Sequence, residues 1–201
     1  MSLPAIIECL VFTAETPLSL ERLCEMLPEF ERDDIRASLA ELAGSHEGRE
    51  GGIQLVEVAG GWQFRTSPSF HQYVLRHVKT KASKFSQSSL ETLAIVAYRQ
   101  PLTRAEVEHL RGVDCGGVLK SLLEKRLVRI LGKKDIPGRP LIYGTTKEFL
   151  EVFGLKDLKS LPTLKEIKAL DDIPQYERQE ELPLVQGEGV SDEVTPSLFE
   201  T

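Results

Sequence analysis

His46, His71, His77 and His109 are the side chains of this 201-residue sequence best suited to moving protons near neutral pH, and they are scattered. None has metal-ligand spacing with Cys9, Cys24 or Cys115, and no helical HExxH pair occurs. Gly132 to Gly138 has the glycine content of a phosphate loop but lacks the GK[ST] ending that would place a lysine on phosphates and a hydroxyl on magnesium. Gly187-Glu188-Gly189 has no third glycine and no preceding strand to make a dinucleotide turn. The residues therefore predict a protein that is not an enzyme, with no catalytic set, no cofactor and no metal.

What remains is binding. Thr103 stands three residues before Glu106, the spacing at which hydroxyl and carboxylate each satisfy a free amide at a helix start. An Ala-bearing apolar run, Ser88 to Arg99, precedes it across Gln100-Pro101, so two short helices joined by a proline turn are predicted, the front of a helix-turn-helix. Downstream, Val118, Leu119, Leu122 and Leu123 mark a third helix with Asp114 as its cap. Val128 to Leu131 and Leu141 to Gly144 are predicted strands, and Lys147 to Phe153 a helix that Gly154 stops. On the first two helices, Leu90, Leu93, Ala94 and Ala97, then Val107 and Leu110, are the predicted apolar faces.

The upstream half repeats this order. Ile6, Ile7, Leu10, Val11 and Ala14 predict a helix over Leu3 to Thr13. Ser19 caps a second, Leu20 to Leu27, and a third starts at Arg32 or Asp33 with Ile35, Leu39 and Leu42 buried and Gly44 as its stop. Ile53 to Val58 and Trp62 to Thr66 read as two strands around a Gly60-Gly61 turn, and Phe70 to Val78 as a helix with Tyr73, Val74 and Val78 on its apolar side. Pro17-Leu18-Ser19 superposes on Pro101-Leu102-Thr103, which reads as an internal duplication. The predicted fold is mainly α with short β-hairpins: two tandem winged-helix domains and an acidic C-terminal tail. The boundaries are 1–80, a basic linker 81–87, a second domain 88–163 and the tail 164–201.

Charge follows the same divisions. Residues 1–70 carry 5 basic and 12 acidic side chains, residues 71–161 carry 17 and 9, and residues 162–201 carry 3 and 10. Such segregation points to attraction between parts or to charged partners. The tail lacks an apolar period and is read as disordered. Three scattered cysteines read as reduced core residues. No apolar run is long enough to span a membrane and Met1-Ser2-Leu3-Pro4 has no basic signal region, so a cytoplasmic protein without a membrane partner is expected.

Winged helices often bind DNA, and a DNA-binding winged-helix transcriptional regulator is the alternative reading. Direct readout needs Arg, Lys, Asn or Gln on the third helix. The first unit offers Glu31, Asp33, Asp34 and Glu41 there, which phosphates would repel. The second unit opens its third helix with Asp114-Cys115-Gly116-Gly117, small residues that suit close approach by another polypeptide. The wing lysines Lys133 and Lys134 supply attraction without readout.

The run SQSSLETLAIVAYRQPLTRAEVEHLRGVDCGGVLKSLLEKRLV, followed by KDIPGRPLIYGTTKEFLEVFGLKDLKSLP, closely resembles the bacterial segregation and condensation protein B family. The resemblance is densest from Ser86 to Pro162 and extends to Leu3, where IIECLVFTAETPLSLERL is similar to the family's first helices. It implies a non-enzymatic subunit of the bacterial SMC condensin, acting in chromosome condensation and segregation during cell division and associated with the nucleoid. It further implies a homodimer formed through the N-terminal winged helix. Its partner would be the kleisin, segregation and condensation protein A, with the SMC ATPase reached indirectly and DNA met only weakly or through the complex.

On that reading the second unit grips a kleisin segment. Gly116 and Gly117 let its backbone approach, Val118 and Lys120 line the groove, and Arg139 and Tyr143 supply polar and aromatic anchors. Leu3, Ile7, Val11 and Phe12 are the candidate dimerisation positions.

Overall fold

A computed structural model describes residues 2–47, 49–78, 85–163 and 166. The chain divides into two units, Met1–Leu161 and Pro162–Thr201. Apart from Glu166, the acidic tail lies outside the described residues, as does most of the basic linker.

The first unit is mainly helical with two small antiparallel sheets. Its N-terminal half runs α1 (Leu3–Thr13), α2 (Leu20–Met26), α3 (Arg32–Glu47), then the hairpin β1 (Ile53–Val58) and β2 (Gly61–Thr66). A 3-10 turn (Pro68–Phe70) leads into α4 (His71–Val78). The C-terminal half runs α5 (Gln87–Arg99), β3 (Leu102–Thr103), α6 (Arg104–Arg111), α7 (Gly116–Glu124), β4 (Val128–Lys133), β5 (Leu141–Thr145) and α8 (Lys147–Phe153). Two separate hydrophobic clusters form. One gathers Ile7, Val11, Leu23, Leu27, Ile35, Leu39, Leu42 and Leu55. The other is built on Leu93, Val96, Val107, Leu119, Leu122, Val128, Tyr143 and Phe149. Each fully buried aliphatic side chain contributes about 1.5–3 kcal/mol, so these clusters are the main cohesive terms.

Local chemistry sets the helix ends. Ser19 accepts from the Arg22 amide, Ser86 from Ser89, and Thr146 from Phe149. Thr103 and Glu106 form the full capping box, and α6 and α8 end at left-handed Gly112 (φ 72) and Gly154 (φ 65). Leu18 exchanges both backbone hydrogen bonds with Trp62 of β2, at 3.0 and 2.8 Å. Leu102, the residue matched to Leu18 by the proline superposition, pairs with Tyr143 of β5. In both halves the residue after the turn proline therefore stitches the helices to the second strand of the hairpin. This short third strand was not predicted, because two residues carry no readable period.

Several expectations need correction. Gly44 does not stop α3, which continues to Glu47, since one glycine weakens a helix by only about 1 kcal/mol. The first hairpin turns on Ala59-Gly60 (φ 51 and 74), not Gly60-Gly61. Gly61 closes the pairing with Val58 and is required for another reason: a Cβ there would lie 2.8 Å from the backbone of Pro17 and Leu18. No residue of α4 is buried, and Tyr73 and Val78 are exposed. The face that α5 buries is Thr92, Leu93, Val96 and Ala97, leaving Leu90 and Ala94 outward, and Leu110 of α6 is half exposed. Of the cysteines only Cys115 is buried; Cys9 is exposed.

Within the first unit the two halves touch at the tip of the first hairpin. The Ala59 and Gly60 amides donate to the Leu155 and Lys156 carbonyls, each at 2.9 Å. Arg65 donates to the Glu151 carbonyl at 2.7 Å, and Lys156 pairs with Glu57 at 2.7 Å. A left-handed turn aims successive amides outward, and here carbonyls of the chain's own C-terminal half accept them.

Candidate partner-binding surfaces

The start of α7 is held by a network rooted on α6. The guanidinium of Arg104 reaches Glu108 and Asp114, both at 2.6 Å. Glu108 accepts in turn from the Cys115 amide, and Asp114 from the Gly116 amide. Arg104 holds the Glu108 carboxyl below its ordinary pKa, assisted by the Cys115 amide. Cys115 is buried with its thiol 3.9 Å from the Thr92 hydroxyl, so it is a packing residue. The N-cap of α7 is Cys115 and not the expected Asp114, which stands one position earlier and accepts the Gly116 amide.

The six residues expected to hold a partner do not form one surface. Gly116 is already occupied on its open side, because a Cβ there would sit 2.7 Å from the Arg104 guanidinium. Gly117 faces open space, Val118 is half-buried against the core, and Lys120 is exposed and 4.0 Å from Glu124. Tyr143 is only 8% exposed and belongs to the core, so it has no ring surface to offer as an anchor. Arg139 lies in the β4–β5 loop with φ 40, its amide donating to Ile136 and its side chain exposed. Among the described residues no hydrogen bond or ion pair joins it to α7.

One of the two wing lysines also differs from expectation. Lys134 is bound to Glu106 at 2.6 Å and is not free for phosphates. Lys134, with the Thr103 amide and hydroxyl, pulls the Glu106 carboxyl down to about 2.

In the N-terminal half, Ile7 and Val11 are 0% and 2% exposed and form the core; Leu3 is half-buried against it. Interhelical packing of α1 on α3 claims that face, which leaves Phe12, 71% exposed, as the one candidate of the four displayed to solvent. Beside it lies a mostly apolar hollow of about 420 Å³, lined by Glu8, Cys9, Phe12, His46, Ile53 and Phe64 among others. The Phe64 ring meets Phe12 edge-on at 6.5 Å and His46 at 5.2 Å, and His46 Nε2 is 3.5 Å from Glu8. Ile53 was missed because its strand alternates imperfectly, and Phe64 because the clean alternation of Trp62 to Arg65 does not say what that strand packs against.

A second concavity, about 730 Å³, opens where the end of α7 meets β4 and α8. Arg126, Arg129 and Lys147 rim it, with Glu148 as the nearby carboxylate, over Leu123, Ile130 and Leu158. Among the described residues, no three His, Cys, Asp or Glu side chains group as a metal site, and no helix is long and apolar enough to cross a membrane.

Residues 5–164 match the family model described as segregation and condensation complex subunit ScpB. The chain is 52% identical over 165 residues to segregation and condensation protein B of Myxococcus xanthus, covering 82% of this chain and 50% of that protein. It is 51% identical over 170 residues to segregation and condensation protein B of Syntrophotalea carbinolica, covering 85% and 86%. The chain thus spans half the length of the first relative and most of the second. Among solved structures, a dimer of an ScpB N-terminal domain complexed with an ScpA peptide is 32% identical, covering 40% of this chain and 92% of that one, with a TM-score of 0.35.

Proposed function

The chain belongs to the segregation and condensation protein B family, and from that premise we propose that it is a non-enzymatic scaffold subunit of the bacterial SMC condensin. It homodimerises and binds the kleisin subunit, ScpA, which links it indirectly to the SMC ATPase. Its work is chromosome condensation and segregation during cell division, in the cytoplasm at the nucleoid. The observation that carries this reading is the family match across residues 5–164 at about half identity to two relatives.

The halves act as two tandem winged-helix modules, residues 1–80 and 88–163, followed in sequence by the acidic tail 164–201. Separate hydrophobic clusters and the shared Leu18 and Leu102 stitches support that division. The first module dimerises through the Phe12 hollow. The second takes the kleisin along α7, where Gly117 and Lys120 are open and Val118 is half-buried, towards the cleft at the end of that helix.

The surfaces fit protein partners better than a duplex. On α3, Asp33, Asp34 and Glu41 are exposed, and the base-reading helix of the second module begins with a closed ion-pair network and glycines. The test is to mix the full chain with ScpA and with fluorescein-labelled duplex DNA. Light scattering on the eluting complex is expected to give a dimer that captures ScpA, with weak, salt-sensitive and sequence-indifferent DNA binding. Tight, sequence-selective DNA binding without ScpA capture would leave the regulator reading in its place.

A further inference from the structure

We infer that the cleft at the end of α7 is the seat of an extended acidic segment carrying spaced apolar side chains, supplied by the protein partner of the second module. The inference rests on the kleisin-binding reading and adds to it the place and the chemistry of the segment.

Three observations carry it. First, the rim is cationic and unspent. Arg126, Arg129 and Lys147 make no side-chain ion pair or hydrogen bond among the described residues, whereas Lys134, Arg104 and Arg111 in the same half are all paired. One carboxylate, Glu148, stands against those three. Second, the floor is apolar. Ile130 is 47% and Leu158 41% exposed, and Leu123 is half-buried behind them. Phosphates gain nothing from such a floor, while leucine or phenylalanine side chains alternating with carboxylates satisfy floor and rim together. Third, β4 is an edge strand in the order β3-β5-β4, and its register shifts between Ile130 and Gly132. An edge strand beside a groove accepts an added extended segment, with side chains alternating between pockets.

Arg126 adds a local argument. It follows the C-cap of α7 in the left-handed region (φ 57), where glycine is unstrained and an arginine is not. A charged side chain is kept at a backbone position that disfavours it, beside the cleft.

The strain supplies a discriminating variant, because Arg126→Gly removes the charge without disturbing the fold. The full-length chain and its Arg126→Gly/Arg129→Glu/Lys147→Glu variant are compared against ScpA and against two labelled synthetic peptides. One peptide is glutamate interspersed with leucine; in the other serine replaces leucine. Lys133→Glu controls for a charge reversal outside the cleft, and melting temperature checks the fold. The leucine peptide and ScpA are expected to bind the wild type and the Lys133 variant alike, and the triple variant on the order of tenfold or more weaker. The serine peptide binds all three weakly. If ScpA binds wild type and triple variant equally, the cleft is wrong and the scaffold reading stands. If ScpA binds neither, the scaffold reading fails, and the peptides judge the cleft alone. A cleft that takes labelled duplex DNA and not the leucine peptide overturns the inference outright.

Discussion

The guanidinium of Arg104 fills the space into which a side chain on Gly116 would project, with 2.7 Å between the two. The glycine at the head of α7 is thus explained within the chain itself: it lets an arginine from α6 tie Glu108 and Asp114 to the helix start. The same geometry grades two glycine substitutions. At Gly116 the obstacle is the far end of a flexible side chain that can swing into solvent. At Gly61 it is the Pro17 and Leu18 backbone at 2.8 Å, which the Leu18–Trp62 stitch holds in place. Gly61→Ala is expected to cost about 1–3 kcal/mol, as overpacking does. Gly116→Ala should change the melting temperature no more than a surface substitution, and its effect should be smaller still in an Arg104→Ala background. Thermal denaturation of Gly61→Ala, Gly116→Ala, Arg104→Ala and the Gly116→Ala/Arg104→Ala double variant checks the order.

Glu106 makes acid sensitivity a local property. Lys134 first, then the Thr103 amide and hydroxyl, hold its carboxyl at about 2 against an ordinary value of 4.5. A carboxyl with a lowered folded-state pKa stabilises the fold fully above its unfolded pKa and loses that contribution as pH falls through the folded one. The window runs from about pH 4.5 down to about pH 2. Glu91 and Glu108 are lowered too and steepen the same limb. Glu106→Gln should therefore flatten the fall in melting temperature across that window. An unchanged slope would mean that the Lys134 contact is not made in solution.

Which parts of this were readable in the residues follows from the range of the forces involved. Capping is local: Ser19, Thr103 with Glu106, and Gly154 announced their helix ends because donor, acceptor and backbone lie within four residues. The bounds of α1 and α8 were likewise legible from period and breakers. Burial is not local. Period placed Tyr143 and Tyr73 on strand and helix, but only packing decides that the first is covered and the second exposed. Ile7 and Phe12 share a helix, and contact with α3 assigns one to the core and the other to solvent. Arg126, Arg129 and Lys147 come from the α7–β4 turn, β4 and α8, so no single helical or strand period could gather them.

Gln100 shows a tertiary role hidden behind a turn proline. Its Oε1 accepts from the Thr145 amide at 2.8 Å, and its Nε2 donates to the Thr145 hydroxyl at 2.9 Å and the Ala97 carbonyl at 3.2 Å. The side chain thereby pins the end of α5 to β5. Gln100→Ala leaves a buried strand residue, Thr145, short of partners and is expected to cost about 1–3 kcal/mol. Gln100→Glu keeps the acceptor but turns the donor into an oxygen facing the Ala97 carbonyl, so it should be no better than alanine at neutral pH. Chemical denaturation of both variants settles the comparison.

Phe12 tests the proposed dimer surface, because its exposure separates assembly from folding. A two-fold interface uses the same patch on both copies, so a protruding ring beside a hollow can insert into its partner's hollow while receiving the other ring. Burying each ring contributes roughly 1.5–3 kcal/mol, and two are lost together. Phe12→Ser should thus raise the dimer dissociation constant on the order of a hundredfold or more, leaving the monomer's unfolding unchanged. Ile7→Ala, one turn earlier in the core, should instead cost about 2–5 kcal/mol of stability. Sedimentation equilibrium with parallel thermal melts distinguishes the two. A Phe12→Ser chain that still sediments as a tight dimer would move the interface elsewhere on the first module, whereas loss of its fold would mean that the ring is covered within a single copy.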